Sequence, residues 1–205
     1  MGIYTKHVLP RLINLACSSG PVMRQRQKVV PLAKGRVLEI GIGSGLNLQF
    51  YDPAQIELLW GLEPAREMRA MLERKISSVP FKMELIGLPG EEIPLESESV
   101  DTVLITYTLC TIADPMRAFE GMRRVLKKGG RLIFCEHGSA PDEKVRRWQD
   151  RVNPFWNLIG GGCHLNRPIP LLIKQGGFAI ERIETMYLPG WKPASFNYWG
   201  TAVPS

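Results

Sequence analysis

Three glycines separated by single residues follow directly after an apolar run of the sequence. The run is Val37-Leu38-Glu39-Ile40, and the glycines are Gly41, Gly43 and Gly45. Glycine permits positive φ and lets a ligand approach the backbone where a Cβ would clash. A dinucleotide-binding turn has its third glycine one residue later, where this chain has Leu46, so that a helix begins beneath a pyrophosphate. The earlier glycine therefore favours a ligand that has no phosphate to bind.

Two acidic residues frame this turn. Glu39 stands just before the glycines, and Glu63 closes a second strand-like run over residues 56–62. A carboxylate at that strand end can accept hydrogen bonds from both hydroxyls of an adenosine ribose. The glycines alone would be equally typical of an ordinary turn, but strand, turn and acidic strand end together predict an adenosine-binding site.

The elements that must position these residues alternate between strand and helix from residue 36 onward, which predicts a parallel sheet covered on both faces. Strands are predicted at 36–40, 57–62, 81–87, 100–106, 130–135, 178–187 and 196–203, and helices at 45–51, 65–76, 115–126, 142–158 and 168–175. Residues 1–34 form a separate piece, because apolar residues follow helical spacing there, at Val8, Leu12, Leu15 and Ala16.

Composition limits the class of protein. The chain has 205 residues, of which 44% are hydrophobic and 22% charged, as expected for a soluble globular domain with a small addition. No apolar run reaches transmembrane length and no signal peptide is recognisable, so a cytoplasmic location is expected. The net charge of +6 fits either an acidic partner or a merely solvated basic surface. The cysteines are too scattered for a zinc site, so no metal is predicted, and reduced structural thiols are expected at Cys17, Cys110, Cys135 and Cys163.

With these motifs the chain resembles the class I S-adenosylmethionine-dependent methyltransferases. Residues 97–103 match the family's fourth strand and the loop before it, and residues 123–132 match the helix, glycine turn and fifth strand. The resemblance implies a Rossmann-like α/β fold with a seven-stranded, mostly parallel sheet, an antiparallel last strand and helices on both faces. It also implies S-adenosyl-L-methionine as cofactor and S-adenosyl-L-homocysteine as product. Residues 35–205 are then the methyltransferase domain, and residues 1–34 an amino-terminal helical cap.

The resemblance further implies which residues contact the cofactor. Glu39 would lie near the methionine amino group, the glycine turn would approach the amino-acid portion, and Glu63 would bind the ribose. Many relatives have an adenine-binding aspartate where this chain has Pro89, so adenine recognition would depend on Gly90 and Glu91. The full predicted set is Glu39, Gly41, Gly43, Gly45, Asn47, Glu63, Pro64, Gly90, Glu91, Thr106 and Leu109.

The acceptor is predicted from residues 134–167. They contain the pair Glu136-His137, a tryptophan-bearing segment at Trp148, and the run Cys163-His164 after three glycines. This order is similar to that of the methyltransferase-like thiol S-methyltransferases, although His164 replaces an asparagine of that family. The resemblance implies a small-molecule acceptor, most readily a thiol or sulfide, because a thiol is already partly ionised at neutral pH and needs little help from a base.

Three candidate catalytic residues follow from this segment. His137, paired with Glu136 at the carboxyl end of the fifth strand, would orient the acceptor or take its proton. The alternative is that Glu136 caps a loop and His137 packs against Trp148. His164 lies in a glycine-rich loop whose flexibility suits a lid.

Other functions stay open at this point. A phosphatidylethanolamine N-methyltransferase at a membrane surface would use the basic amino-terminal helix for peripheral contact with anionic lipid, whereas the same helix could instead cap the cofactor pocket. A small-molecule O-methyltransferase and a cofactor-binding scaffold without chemistry are further alternatives. Nucleic acid is not expected as a partner, since the chain has neither an Asn-Pro-Pro-aromatic motif nor a separate basic domain.

Overall fold

The computed structural model describes residues 8–205, and its centre is one seven-stranded sheet. The strands are β1 (Gly35–Ile40), β2 (Ile56–Leu62), β3 (Lys82–Ile86), β4 (Val100–Thr106), β5 (Leu126–His137), β6 (Phe178–Tyr187) and β7 (Phe196–Pro204). Their spatial order is β3-β2-β1-β4-β5-β7-β6. Strand β7 lies antiparallel to both β5 and β6, and every other adjacent pair is parallel. The predicted sheet, with its antiparallel last strand, is confirmed.

Six α-helices are found in residues 8–205, and most connect consecutive strands. They are α1 (Leu9–Cys17), α2 (Gly20–Val29), α3 (Arg66–Ile76), α4 (Pro115–Val125), α5 (Glu143–Ile159) and α6 (Ile169–Gln175). Helix α4 begins where the sequence provides its capping residues. The Asp114 side chain accepts a hydrogen bond from the Arg117 amide at 3.0 Å, and Pro115 occupies the first helical position.

Each face of the sheet has its own apolar core, because alternate residues of a strand point to opposite faces. In β1, Leu38 and Ile40 pack with the residues of α4 and α6, including Phe119. Val37 packs on the other face, with residues of α2 and α3 that include Leu72. Glu39 shares the face of Val37, which places a carboxylate among apolar side chains of the α2 side.

Two predicted elements differ from the structure. The helix predicted at 45–51 is reduced to a 3-10 turn at Leu48–Phe50, because Gly45 has φ of 75°, which a right-handed helix cannot continue. Strand β5 begins at Leu126 rather than at 130, since Leu126 already pairs with Val100. The glycine turn that the family resemblance places between this helix and the fifth strand therefore lies inside β5, at a register shift where Gly129 has φ of 79°.

No helix in the described part of the chain is long and apolar enough to cross a bilayer. Of the predicted amino-terminal cap, residues 1–7 lie outside the described region, and the remainder forms α1, α2 and a short 3-10 turn, Val30–Leu32. The division of the chain at residue 34 stays a prediction.

Candidate functional site

A cavity of about 470 Å³ opens at the carboxyl ends of β1, β2 and β4. This is the edge at which ligands bind in open α/β sheets. Seven of the predicted cofactor residues line it: Gly41, Gly43, Glu63, Pro64, Gly90, Glu91 and Thr106. Four other predicted residues do not line the cavity: Glu39, Gly45, Asn47 and Leu109. The reasons are described below with the parts of the structure to which these residues belong.

The glycine turn forms one wall of the cavity. Gly41, Gly43 and Gly45 have φ of 68°, 59° and 75°, a backbone region that residues with a Cβ rarely adopt. A Cβ on Gly43 would have no atom closer than 3.8 Å, so that glycine borders open space. A Cβ on Gly45 would lie 2.5 Å from Leu72, so Gly45 faces the packed α3 side and shapes the turn without bordering the cavity.

Glu63 is held at the cavity wall by two backbone donors. Its Oε2 accepts from the Gly43 amide at 3.0 Å and its Oε1 from the Ala65 amide at 2.8 Å. Burial raises the pKa of Glu63, and the hydrogen bonds from Ala65 and Gly43 act in the opposite direction. Each carboxylate oxygen has a second lone pair, so the group can still accept from a ligand.

Gly90 and Glu91 form the opposite wall. The Glu91 Oε1 accepts from the amides of Ala113 and Asp114 at 2.9 and 3.1 Å, which joins the loop after β3 to the start of α4. A Cβ on Gly90 would lie 2.7 Å from Ile40, so only glycine fits there without a shift of that side chain.

Glu39 was predicted to contact the cofactor, but in the structure it lies beneath the cavity and does not line it. Its carboxylate is 1% exposed and accepts from Asn47 Nδ2 at 2.8 Å and from the Tyr51 hydroxyl at 2.7 Å. Burial raises its pKa to about 7 despite those two bonds and the charge of Arg26. Glu39 is therefore linked to the cavity residue Arg26 by Asn47, which is itself fully buried and accepts from Arg26 through its Oδ1.

Arg26 of α2 is a cavity residue that the sequence argument missed. Its Nη1 donates to Asn47 Oδ1 at 2.9 Å and to Thr106 Oγ1 at 2.6 Å, and its Nε is buried with no hydrogen-bond partner. Within residues 8–205, no carboxylate lies within ion-pair distance of Arg26. Its charge nevertheless acts on the buried carboxyls of Glu39 and Glu136, whose pKa values it lowers against the effect of burial. A buried guanidinium without a direct ion pair can still bind an anionic group that enters the cavity. No pattern in the sequence separates Arg26 from the neighbouring basic residues.

Tyr107 was also missed. It lines the cavity directly after β4 with φ of 54°, one of two non-glycine residues in the described chain with positive φ. Its hydroxyl donates to Asn197 of β7 at 2.6 Å, and burial raises the phenol pKa well above its usual value. Backbone strain of this kind is concentrated at functional sites.

Helix α1 covers the cavity from the amino-terminal side. Its cavity-lining residues are Leu9, Pro10, Ile13, Asn14 and Cys17. The Ser44 hydroxyl of the glycine turn donates to Asn14 Oδ1, and a Cβ on Gly161 would lie 2.9 Å from Leu9. The helix thus joins the glycine turn to the loop after α5, across the opening.

Glu136 supports the loop that follows β4. Its Oε1 accepts from the amides of Thr108 and Leu109 at 2.9 and 3.0 Å, and burial raises its pKa to about 7. Arg167 donates from the other side to the carbonyls of Leu109 and Ile112. Glu136 therefore caps a loop, as the alternative interpretation held, and Leu109 is a core residue beneath that loop.

His137 contacts a cysteine and does not line the cavity. Its Nε2 lies 3.4 Å from Cys163 Sγ, and its Nδ1 is buried without a partner. A hydrogen bond with the Cys110 thiol and the contact with His137 lower the pKa of Cys163, against the effect of burial. Burial acts to lower the pKa of His137, but the bond and charge of Cys163 raise it overall.

The cysteines are scattered in the sequence, but the fold brings two of them together, and the absence of a metal site stays a prediction. All four are free thiols, and the fold brings Cys110 and Cys163 together at His137 although they are far apart in sequence. The sequence contains one indication of this cluster. Cys110 and His137 each come shortly after a predicted strand, and Cys163 follows a glycine-rich loop.

His164 is held by two asparagines of α5. Asn153 Nδ2 lies 3.3 Å from its Nδ1 and Asn157 Nδ2 lies 3.1 Å from its Nε2. Burial and the charge of Arg167 lower its pKa, which favours neutral imidazole. His164 does not line the cavity, so a molecule bound there would not contact it. Its catalytic role stays a prediction.

Comparison with known proteins agrees with this geometry. A family model described as a methyltransferase domain matches residues 38–134. The human thiol S-methyltransferase TMT1B is 31% identical over 179 residues, which are 83% of this chain and 72% of that protein. A phosphatidylethanolamine N-methyltransferase from Cereibacter sphaeroides is 29% identical over 152 residues, 73% of this chain and 67% of that protein.

A solved structure from Thermotoga maritima, described as a SAM-dependent methyltransferase and possible histamine N-methyltransferase, has a TM-score of 0.64. It covers 98% of this chain and 99% of its own at 22% identity, which supports the fold alone. Together with the glycine turn, Glu63 and the sheet order, these relatives identify the chain as a class I S-adenosylmethionine-dependent methyltransferase that belongs to the family of thiol S-methyltransferase TMT1B.

Proposed function

We propose that this methyltransferase transfers the methyl group of S-adenosylmethionine to a thiol or sulfide. The observation that carries the proposal is the chemistry of the cavity wall. Among its described lining residues there is no histidine or lysine. Its two carboxylates, Glu63 and Glu91, are each held by two backbone amides, and the pKa of Tyr107 is raised well above the usual phenol value. Such a wall suits an acceptor that needs no strong base.

The residues present fit the cofactor that the family uses. Glu63 would accept hydrogen bonds from the ribose, and the Gly41–Gly43 backbone would lie against the methionine portion. Arg26, whose buried Nε has no partner, would hold the methionine carboxylate. Glu39 would position Arg26 through Asn47. Gly90 and Glu91 would border the adenine.

A thiol acceptor requires least from these residues. The bound cofactor supplies an electrophilic methyl group, which a sulfur nucleophile takes by in-line displacement. A thiol with a pKa near 8.5 is a few per cent thiolate at neutral pH, whereas a phenol or an alkylamine is almost entirely protonated. The chain then has to align the acceptor and exclude water, for which α1 and the loop around Gly161 are placed at the opening. The human thiol S-methyltransferase TMT1B is 31% identical to this chain over 83% of its length, which supports the same acceptor class.

The test is the pH dependence of kcat/KM with labelled S-adenosylmethionine and several small thiols of different pKa. Without an enzyme base, the midpoint of each profile should follow the pKa of the thiol itself. A midpoint that stays constant across the series would indicate a titrating enzyme group. Absence of transfer to every thiol, with transfer to phenols or amines in parallel reactions, would refute the proposal.

Phosphatidylethanolamine N-methylation is the second candidate. It is favoured by large apolar side chains that α1, α5 and the segment before β7 expose: Leu12, Leu15, Phe155, Leu158 and Trp191 are 49–78% exposed. The relative from Cereibacter sphaeroides supports the same reaction. Under this proposal the protein would be cytoplasmic with peripheral membrane contact, and the basic residues around α1 and α2 would attract anionic headgroups.

Flotation with vesicles of phosphatidylethanolamine and an anionic lipid separates the candidates. Salt-sensitive flotation together with methylated lipid would favour this second function. Protein that stays in the bottom fraction at low salt, and that leaves the lipid unmodified, would exclude it.

A further inference from the structure

Two cysteines and a histidine converge beside the cavity from three separate elements. Cys110 follows β4, His137 ends β5 and Cys163 follows α5. Their ligand atoms, two Sγ and one ring nitrogen, all lie within 4.8 Å of one another. Cys110 is 3% exposed and the other two residues are half-buried.

The spacing of these atoms is close to that required by a tetrahedral zinc ion. Bonds of about 2.3 Å to sulfur and about 2.0 Å to nitrogen at tetrahedral angles place a sulfur and a nitrogen ligand roughly 3.6 Å apart. The Cys163 Sγ and His137 Nε2 are 3.4 Å apart. This pair therefore matches the spacing that the ion requires, and the two distances to Cys110 Sγ stay within 4.8 Å.

The ligand types and their charges suit zinc as well. Thiolate and neutral imidazole are the donors that Zn²⁺ prefers, and hard cations such as Mg²⁺ select oxygen instead. Two thiolates neutralise the double charge of the ion, so the complete group would be uncharged. That matters at a buried position, where an unpaired charge is strongly unfavourable.

The backbone around the three residues is fixed before any ion binds. The His164 amide donates to the Cys110 carbonyl at 2.9 Å, which joins the two cysteine-bearing loops. The Gly162 amide donates to the Asn157 carbonyl at 2.9 Å, which holds the second loop to α5. Ligands on such a constrained backbone lose little entropy when they bind a metal.

We propose that Cys110, His137 and Cys163 bind one Zn²⁺ ion through two thiolates and an imidazole. Within residues 8–205 no further metal-binding side chain joins the group, so the fourth position falls to a small exogenous ligand. Sites with three protein ligands and one open position are typical of reactive zinc rather than structural zinc. Thr111 and Gly161, one and two residues away from the cysteines, line the cavity, so the group lies next to the cavity wall. The site does not depend on which acceptor the enzyme uses.

Zinc content tests the proposal without any methyl transfer. The full chain, purified under a phosphine reductant and passed over a mild chelating resin, is measured by inductively coupled plasma mass spectrometry. We expect about one zinc per chain, and titration against a chromophoric chelator should give an affinity at least ~10-fold weaker in Cys163→Ser and Cys110→Ser. The matched control is Cys135→Ala, which removes a buried thiol of β5 outside the group and should leave the zinc affinity unchanged.

Two spectroscopic measurements distinguish loss of a metal ligand from misfolding of the variant. Cys163 is on a half-buried loop, so Cys163→Ser should keep the wild-type circular dichroism spectrum while losing metal. Substitution by Co²⁺ should produce thiolate-to-cobalt charge-transfer absorption in wild type and in Cys135→Ala, reduced in each ligand variant. Wild-type protein that holds no more zinc than the folded Cys163→Ser variant, or cobalt spectra that this substitution leaves unchanged, would overturn the proposal.

Discussion

Removing the Glu63 carboxylate should weaken S-adenosylmethionine binding while leaving the sheet intact. In the structure this carboxylate is 8% exposed at the cavity wall and is oriented by the amides of Gly43 and Ala65. Hydrogen bonds from a ribose to an oriented carboxylate are charge-assisted, and the net loss on removing the carboxylate should be about 1.5–3 kcal/mol. Since 1.4 kcal/mol corresponds to tenfold, Glu63→Ala should raise Kd by about 10- to 150-fold.

The assay is isothermal titration calorimetry with S-adenosylmethionine and S-adenosylhomocysteine. Glu57→Gln is the matched control, because Glu57 is exposed near the opposite end of the same strand and should bind as wild type does. The analogue of S-adenosylhomocysteine with a 2′-deoxyribose should lose affinity for wild type and lose little for Glu63→Ala. A folded Glu63→Ala protein whose Kd stays within about threefold of wild type would refute the ribose assignment.

Three further predictions concern the rest of the cavity. Arg26→Gln should weaken cofactor binding by about 10-fold or more and abolish discrimination against decarboxylated S-adenosylmethionine in calorimetry, whereas the exposed Arg24→Gln should do neither. Burial raises the pKa of Glu39 from 4.5 to about 7, so the carboxyl is neutral in both states at low pH, and only the unfolded state ionises between these values. Its contribution to the unfolding free energy should therefore decline by about 3 kcal/mol from pH 4.5 to 7. Glu39→Gln should reduce the pH slope in urea titrations by that amount and leave the part that comes from Glu136, whose pKa burial also raises to about 7. Amide hydrogen exchange in α1 should slow when the cofactor binds, with β6 unaffected, and equal exchange with and without cofactor would argue against α1 as a lid.

The elements of the fold were predictable because their signals are local. The mostly apolar sequences of β1 and β4 are typical of strands buried on both faces, and the Asp114-Pro115 start of α4 is a local capping pattern. The turn after Ile40 was predictable for the same reason, since only glycine tolerates its φ values. The prediction failed at the helix over 45–51, which Gly45 prevents, and at the start of β5. At β5 the deciding factor was the pairing of Leu126 with Val100, a contact between distant parts of the chain.

The site was predictable only where a side chain's role follows from its place on a strand. Glu63 lines the cavity because it ends β2 at the correct edge of the sheet. Glu39 occupies a similar place on β1 but does not line the cavity. Asn47 and Tyr51 donate hydrogen bonds to its carboxylate and hold it beneath the cavity. Arg26 and the cluster of Cys110, His137 and Cys163 depend on helix docking and loop closure, which no periodicity in the sequence encodes.

The position of β7 between β5 and β6 also bears on when the protein becomes competent during synthesis. Strand β6 has no neighbour in the sheet except β7, so it has nothing to pair with until the following strand has been made. The same late strand carries Asn197, whose side chain accepts the hydrogen bond from the strained Tyr107 at the cavity wall. The glycine turn and Glu63 can form from the first half of the chain, but the part of the cavity wall at Tyr107 waits for residues 196–204. A nascent chain is therefore expected to have its adenosine-binding half in place before it can perform methyl transfer, which separates ligand binding from activity in time.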